Sequence, residues 1–332
     1  MPSPNAPSVD RMLRWLQSPA VIESDGGVRS WDNPDRPGYR YPEIAGLLLS
    51  LLAQEASGDD QLLVKIKQGL IRDVSARGGV GKDGREYVFD TAMVLSGVLA
   101  SDRAGESLPS QELPSDLFRF ICRLLGAREG IYPPEATEPR THWSRSYGCH
   151  LLKTVLALSA YHDRVEDPLA IELVSGLLDD LLPLHEDGRF RIHAGSSESY
   201  LHANCYAIEG LLHVRQLPLE NQHYLPIEQC ATWLARQQQP EGGIRAWHDG
   251  TRGYGDCHAD VCAQAVRIWT LVDRAGFELP IARALEFLAG LQTRDGGLKY
   301  RPGSSDVNTW ATIFAVQAMR LANEPSDQTL LV

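Results

Sequence analysis

The sequence predicts an all-α protein in which six pairs of outer and inner helices close into an (α/α)6 toroid. Glycine-centred bends recur along the chain, and each bend precedes a helical segment that is apolar on most faces. These apolar segments start near positions 42, 89, 147, 202, 258 and 308. An internal period of this size is typical of repeat architectures.

The six bends separate an amphipathic helix from an apolar one, and four of them carry Gly-Gly followed by Val, Ile or Leu. Glycine allows the chain to leave a helix at positive φ. They read DGGVRSW (25–31), RGGVGKD (77–83), REGIYPP (128–134), EDGRFRI (186–192), EGGIRAW (241–247) and DGGLKY (295–300). Most are preceded by a pattern like that of 61–74, where Leu63, Ile66, Leu70 and Val74 share one stripe, so we expect outer helices there.

The segments that follow the bends have no polar face, which indicates helices surrounded by other helices. They include YPEIAGLLLSLLAQ, FDTAMVLSGVLA and NTWATIFAVQAMRLA. An open solenoid uses the same alternation, but six units without capping repeats favour a closed ring. We expect one toroid domain over 1–332, made of six repeats of about 50–60 residues, with a tail at 323–332.

Composition limits the classes of function. The formal net charge is -11 and no Lys/Arg run occurs, which disfavours nucleic-acid binding. No stretch of eighteen apolar residues predicts a transmembrane helix, and the polar start MPSPNAPSVD lacks a signal pattern. We therefore expect a cytoplasmic protein, and its six scattered cysteines are expected to be free thiols.

Two motifs resemble a known family. LQTRDGGLKY (291–300) and ARQQQPEGGIRAW (235–247) resemble the Gln-x-x-x-Gly-x-aromatic repeat of squalene cyclases and protein prenyltransferase β subunits. YVFDTAM, HANCYAIEGLL and CHADVCAQAVRIW are similar to motifs of bacterial toroid proteins encoded among polysaccharide-biosynthesis genes. The resemblance implies a terpenoid cyclase or prenyltransferase-like α/α toroid, a fold that hosts many reactions.

In such a ring the starts of the inner helices meet at one mouth, where polar side chains need an explanation. We expect this mouth to bind a small-molecule or glycan substrate that is polar, carbohydrate-like or anionic. For general acid–base catalysis the candidates are Asp90, His202, His258 and Asp260. For substrate binding they are Arg40, Tyr41, Glu43, Trp143, Arg145, Tyr147, His150, Tyr200, Asn204, Trp247, Tyr254, Asp256, Tyr300, Arg301, Asp306, Asn308 and Trp310.

Several alternatives stay open. Asp90, Asp260, Asp306 and Asn308 stand where helix N-caps belong. A polysaccharide lyase would use a Tyr or His base with Arg or Asn to neutralise a uronate, which Tyr200, His202, Asn204 and Arg145 could supply. A glycoside hydrolase would use two carboxylates, for which Asp90 and Asp260 are the pair.

No cofactor is expected; if a zinc ion is bound, its ligands would be Asp256, Cys257, His258 and Cys262. Prenyltransferases place Asp and Cys two residues apart, whereas they are adjacent here. A terpenoid cyclase is the second functional class, although VFDTAM matches only the end of the Asp-x-Asp-Asp motif and the inner helices carry few large aromatics. A non-catalytic scaffold is the third, and it would expose an apolar patch.

Overall fold

The computed structural model describes residues 6–55, 60–103, 112–132, 143–219, 225–323 and 331. Within these ranges, outer and inner α-helices alternate along the chain. The outer helices are α1 (Val9–Leu16), α3 (Asp60–Asp73), α5 (Leu113–Gly126), α7 (Pro168–Leu181), α9 (Ile227–Arg236) and α11 (Glu278–Leu291). The inner helices are α2 (Pro42–Gln54), α4 (Val88–Arg103), α6 (Val155–Val165), α8 (Leu201–Val214), α10 (Ala259–Asp273) and α12 (Thr309–Asn323). The predicted all-α toroid is confirmed.

The inner helices differ from the outer ones in how much of their surface is buried. In α10 every residue from Ala259 to Thr270 is buried. In α11 only a stripe that includes Ile281, Leu285 and Leu288 is buried, and the remaining positions face outward. This contrast agrees with the sequence patterns, because an inner helix is covered by neighbours on both sides and by an outer helix behind it.

The ring of inner helices is closed. Each inner helix contacts the next in chain order, and α12 contacts α2. The third inner helix begins with a 3₁₀ segment, Cys149–Thr154, which also contacts α4 and α8. Helix α1 packs against α12, so the first outer helix covers the last inner one. The open-solenoid alternative is therefore wrong.

Short strands occupy the bends, which the helical pattern did not predict. They are β1 (Trp31–Asp32), β2 (Gly81–Lys82), β3 (Arg85–Tyr87), β4 (Ile131–Tyr132), β5 (His185–Glu186), β6 (Arg189–Phe190), β7 (Ser199–Tyr200), β8 (Arg245–His248), β9 (Gly253–Cys257), β10 (Leu298–Lys299) and β11 (Val307–Asn308). They form four small antiparallel sheets, ordered β1-β11-β10, β2-β3-β4, β5-β6 and β7-β8-β9. These segments run side by side at one end of the ring, where strand pairing satisfies their backbone groups.

Two glycines show that the last unit packs on the first in the same way as one unit packs on the next along the chain. Gly242 has φ 90°, and a Cβ added there would lie 2.1 Å from the carbonyl oxygen of Arg283 on α11. Gly296, in the last bend, has φ 116°, and its added Cβ would lie 2.1 Å from the carbonyl oxygen of Arg11 on α1. The bend of the sixth unit therefore packs on the first outer helix as the fifth packs on the sixth.

All six cysteines are free thiols, as expected. None of the helices in the described ranges combines the length and the apolarity that crossing a membrane requires. Helix α12 ends at Asn323, the first residue of the predicted tail, and the rest of the tail lies outside the described residues except for residue 331.

Candidate functional site

A cavity of about 340 Å³ opens where the inner helices begin, and all six units contribute to its wall. This volume lies near the lower end of the range for small-molecule sites. Its lining residues are Trp31, Arg36, Tyr39, Tyr41, Glu43, Phe89, Asp90, Trp143, Ser144, Tyr200, His202, Tyr206, Asp260, Tyr300, Asp306, Asn308 and Trp310. The structure thus brings together three of the four catalytic candidates.

His202 and Asp260 form a close pair in this wall. Each is the second residue of an inner helix, α8 and α10, and the two helices pack together. Nδ1 of His202 lies 3.3 Å from Oδ2 of Asp260, and the two residues are 5% and 4% exposed. Burial lowers the pKa of His202 well below its usual value and raises the pKa of Asp260 to about 7. The pair is therefore held as a neutral imidazole beside a carboxyl group that binds a proton near neutral pH.

Neighbouring polar groups orient this pair. The backbone N–H of Val261 donates to Oδ1 of Asp260 at 2.8 Å. The Tyr300 hydroxyl also interacts with the carboxyl group, and both contacts lower its pKa against the effect of burial. The Tyr200 side chain is hydrogen-bonded to the Tyr300 hydroxyl, so these hydrogen bonds continue along the cavity wall from Asp260 to Tyr200.

Glu43 and Asp90 form a second acidic pair, near the starts of α2 and α4. Burial, together with the charge of the nearby Asp90, raises the pKa of Glu43 to about 8. The indole Nε1 of Trp310 opposes this by donating to Oε2 of Glu43 at 2.7 Å. Burial raises the pKa of Asp90 to about 7, whereas the Tyr41 hydroxyl lowers it. These two carboxyl groups therefore retain protons near neutral pH.

Aromatic rings form most of the wall, and nine of the seventeen lining residues are Trp, Tyr or Phe. Trp31, Tyr39, Tyr41 and Trp310 meet edge to face in sequence, with ring centroids 5.1, 5.6 and 5.8 Å apart. The inner helices themselves supply only Phe89, Tyr206 and Trp310 of the nine. The inner helices do carry few large aromatics, as the sequence indicates, and the bends supply the other six rings of the wall.

The rim holds one ion pair. Arg36 binds Asp306 at 2.5 Å, and Asn33 donates to the other carboxylate oxygen at 2.6 Å. Arg36 is the one lysine or arginine among the described lining residues, whereas four lining residues are carboxylic acids. An anionic ligand would thus meet mainly acidic groups, which disfavours the anionic version of the predicted substrate.

A buried charged cluster lies under the cavity. Lys153 binds one carboxylate oxygen of Glu209 at 2.8 Å, and Arg267 binds the other. All three side chains are completely buried. Nζ of Lys153 also lies 4.5 Å from the ring centroid of Tyr206, whose side chain lines the cavity.

Several predicted binding residues lie outside the cavity. Arg40 binds Asp25 at 2.6 Å and Asp73 at 2.9 Å, and it links the first bend to α3. The Tyr147 hydroxyl donates to Asp180 at 3.0 Å on α7, and Arg145 interacts with Tyr87.

The fourth and fifth units hold further predicted residues outside the cavity. The Asn204 side chain bonds the backbone N–H and carbonyl of Phe190, both at 2.7 Å. Trp247 and Tyr254 lie on the β8–β9 hairpin, where Trp247 packs on Tyr200 with ring centroids 4.6 Å apart. The Tyr254 hydroxyl donates to Glu198 at 2.6 Å.

Two histidines lie behind the wall rather than in it. His258 packs on the Tyr300 ring at 4.4 Å, and burial lowers its pKa to about 4. It is the one catalytic candidate that does not line the cavity. His150 is fully buried against the rings of Phe89 and Trp143.

Of the four residues that stand where helix N-caps belong, Asn308 alone accepts a capping hydrogen bond. Its Oδ1 accepts from the backbone N–H of Ala311 at 2.9 Å, at the start of α12. Asp306 instead binds Asn33 and Arg36, and Asp90 and Asp260 lie within the first turns of their helices.

The candidate zinc ligands are not assembled into a site. Asp256 forms an ion pair with Arg301 at 2.9 Å on the exposed surface, while Cys262 is buried. Within the described ranges, no group of three or more His, Cys, Asp or Glu side chains is arranged to hold a metal ion. The scaffold alternative finds little support on the described surface, where the exposed large apolar residues are Val165, Leu169 and Leu279.

Six lining residues were not among the candidates predicted from the sequence: Trp31, Arg36, Tyr39, Phe89, Ser144 and Tyr206. The signal for three of them was the segment 31–43, WDNPDRPGYRYPE. It places three aromatic residues and two arginines between a glycine bend and an inner helix, where a regular repeat needs only a turn.

No protein-family model matches the sequence, and no curated protein does. Solved structures match over nearly the whole chain. Cellobiose 2-epimerase from Bacillus thermoamylovorans B4167 has a TM-score of 0.70 and 11% identity, covering 94% of this chain and 98% of that one. A glycosyl hydrolase family 88 protein from Bacteroides vulgatus has a TM-score of 0.64 and 14% identity, covering 95% and 97%. The type II terpene cyclase MstE from Scytonema, in complex with geranylgeranyl dihydroxybenzoate, has a TM-score of 0.65 and 14% identity, covering 96% and 97%. At such low identity these likenesses show the fold alone, and the chain is an α/α toroid.

Proposed function

We propose that this chain is an enzyme that binds a small, sugar-like substrate in the cavity and transfers protons with the His202–Asp260 pair. The observation that carries the proposal is the 3.3 Å approach of the His202 imidazole to the Asp260 carboxyl group, both buried in the wall of the cavity. Burial without a fixed counter-charge is the environment in which side chains acquire the shifted pKa values that acid–base catalysis uses.

The roles follow from the protonation states. A neutral imidazole is a base, so His202 would accept a proton from the substrate. Asp260, whose pKa burial raises to about 7, would hold a proton that it can deliver. A catalytic group is most effective when its pKa lies near the operating pH. The Glu43–Asp90 pair, with pKa values of about 8 and 7, would supply a second acid in the same cavity.

The cavity wall also supports a sugar-like substrate. Flat aromatic faces can pack against the C–H faces of a sugar ring, while carboxyl, phenol and amide groups bond its hydroxyls. The charges of the lining residues favour a neutral or cationic molecule over a uronate. Asn204 and Arg145, which a uronate lyase would use, are not among the lining residues, so we do not propose that activity. The epimerase and the glycosyl hydrolase among the structural neighbours are named for sugar chemistry, which supports the substrate class by analogy.

The experiment is a screen of neutral and amino mono- and disaccharides in D₂O, followed by proton NMR. A proton-transfer enzyme exchanges a substrate C–H for deuterium or converts the sugar to an isomer or cleavage product. His202→Gln and Asp260→Asn should each slow the reaction by roughly 100-fold or more. His193→Gln, which changes a histidine outside the cavity, should leave the rate unchanged. Wild-type rates in both cavity variants, or no turnover of any sugar, would refute the proposal.

A second candidate is acid-initiated cyclisation of an isoprenoid, favoured by the nine aromatic rings around buried carboxylic acids. Aromatic faces stabilise positive charge, and a protonated Asp90 or Asp260 could start such a reaction. Incubation with oligoprenyl diphosphates and mass spectrometry for new hydrocarbon products separates the two candidates. New cyclic products without sugar turnover would favour cyclisation.

A further inference from the structure

We propose that Glu43 and Asp90, with the rings beside them, form a subsite for an organic cation, such as a protonated amine carried by the substrate. The proposal deepens the proposed function and rests on it for the use of the cavity as a substrate site. It specifies that the ligand is positively charged and names the residues that recognise this charge.

The first support is the environment of the two carboxyl groups. They lie on α2 and α4, which pack together, and the residues are only 4% and 3% exposed. Both line the cavity. Among the described residues, Oδ2 of Asp90 has no hydrogen-bond donor, although it is buried. An unpaired buried acceptor is costly, so a ligand N–H that reaches this oxygen would be favoured.

The second support is the arrangement of aromatic rings around the pair. Trp310 donates its indole N–H to Glu43, and its ring packs against that of Tyr41, with centroids 5.8 Å apart. Phe89 precedes Asp90 in the chain and also lines the cavity. Faces of such rings attract ammonium groups, with contributions of about 0.5–2 kcal/mol in proteins. Carboxyl groups within an aromatic wall are thus suited to an alkylammonium ion.

Competing ligands fit less well. Two carboxyl groups supply few of the six or more oxygen ligands that a divalent metal takes, and the described residues contain no group of three or more potential ligands. Once ionised, the same two groups would repel an anion, and Arg36 at the rim is bonded to Asp306. The chemistry that remains is a monovalent organic cation.

Binding of a cation should depend on pH in a defined direction. A cation binds best when the pair is ionised, and the pKa values of Asp90 and Glu43 are about 7 and 8. Affinity should therefore rise between about pH 6 and about pH 8, with release of protons. The other titratable groups that act on the pair are the hydroxyls of Tyr39, Tyr41, Tyr87 and Tyr206 and the ammonium group of Lys153. The pKa values of Tyr39, Tyr41 and Tyr206 are raised, and so is that of Tyr87, so these hydroxyls stay neutral in this range.

The test uses three ligands that share a ring and differ in charge: cyclohexylammonium, cyclohexanol and cyclohexanecarboxylate. Isothermal titration calorimetry on the wild-type protein at about pH 8 should give at least tenfold tighter binding of the ammonium ion than of the alcohol. The ratio should fall at about pH 6, and the acid should bind weakest. In the double variant Glu43→Gln, Asp90→Asn the preference should disappear while the alcohol still binds. Glu286→Gln, which removes an exposed carboxylate on α11, is the matched control and should change nothing.

Equal binding of the ammonium ion and the alcohol, tighter binding of the acid, or no binding of any of the three would overturn the proposal. A preference that survives in the double variant would do the same, because the cation would then bind elsewhere. The wild-type comparison does not depend on the variants folding, which circular dichroism would check. Sugar turnover without a cation preference would remove this inference alone, whereas a cation preference without sugar turnover would remove the proposed function alone.

Discussion

Replacing Glu209 by glutamine should destabilise the toroid far more than replacing Lys153 by methionine. Glu209 is the shared partner of Lys153 and Arg267, and all three side chains are fully buried. Arg267 also donates to Gln317 at 2.9 Å, which leaves it fixed between α8 and α12. Removal of the carboxylate therefore leaves two buried cations without a counter-charge, whereas removal of the ammonium group leaves a balanced pair.

The magnitude follows from these charges. Lys153 can release its proton, since burial lowers its pKa to about 8 and Glu209 would no longer oppose this. Arg267 cannot, because arginine stays charged in proteins. Breaking a buried pair in this way costs about 3–5 kcal/mol. With an unfolding entropy of about 2.1 cal/mol/K per residue over 332 residues, Tm should fall by roughly 4–7 °C. Lys153→Met should change the free energy of unfolding by about 1 kcal/mol or less, since methionine fills the same space.

Urea unfolding at neutral pH, followed by circular dichroism, measures both effects on the same scale. The reasoning would be refuted if the two variants lost equal stability. It would also be refuted if Glu209→Gln were as stable as the wild type, because water would then have to reach this cluster.

Three further predictions follow from single contacts. Gly296→Ala should lower the free energy of unfolding by about 1–3 kcal/mol, because φ is 116° and the new Cβ meets the Arg11 carbonyl. Gly290→Ala, which has open space around it on α11, should raise the free energy of unfolding by about 0.5–1 kcal/mol. Equal effects of the two substitutions in urea unfolding would contradict the packing described. The raised pKa values of Glu43, Asp90 and Asp260 mean that the folded state binds more protons than the unfolded one, so their contribution is full below about pH 4 and is lost as pH rises through 7 to 8. Tm measured against pH should therefore fall less steeply in this range for Glu43→Gln than for the wild type, and identical slopes would count against the shifts. Trp310→Phe removes the indole donor and should raise the Glu43 pKa further, which carbon-13 NMR of the carboxyl group can follow; an unchanged titration would mean that the hydrogen bond is absent.

The sequence allowed the helix starts and the acidic candidates to be predicted for one reason. A helix that is apolar all round must be an inner helix, so its first polar residues, such as Glu43, Asp90, His202 and Asp260, have to meet at one end of the ring. Because the units repeat, all inner helices run in the same direction along the ring axis, and the prediction that their starts meet at one end rested on this alone.

The remaining features depend on contacts that periodicity does not encode. Trp31 reaches the cavity because β1 pairs with β11, across more than 270 positions of the chain. Arg40 and Tyr147 lie at the same end of the ring as the cavity, but an ion pair with Asp25 and a hydrogen bond to Asp180 hold their side chains away from it. The cluster of Lys153, Glu209 and Arg267 was hidden in the sequence because each residue interrupts a different apolar helix, and only the closed ring brings the charges together.

The most direct test of the central claim, that the six units close and bring their inner-helix starts to one cavity, is a cysteine pair at positions 32 and 307. Asp32 and Val307 are opposite each other in the β1–β11 pairing, where side chains approach within about 4.5–5.5 Å. After mild oxidation, Asp32→Cys with Val307→Cys should form an intramolecular disulfide, identified by peptide mass spectrometry, while Asp32→Cys alone should not. Thiols at 32 and 307 that stay free, or link only between molecules, would mean that the ring is open and that the cavity does not exist as described.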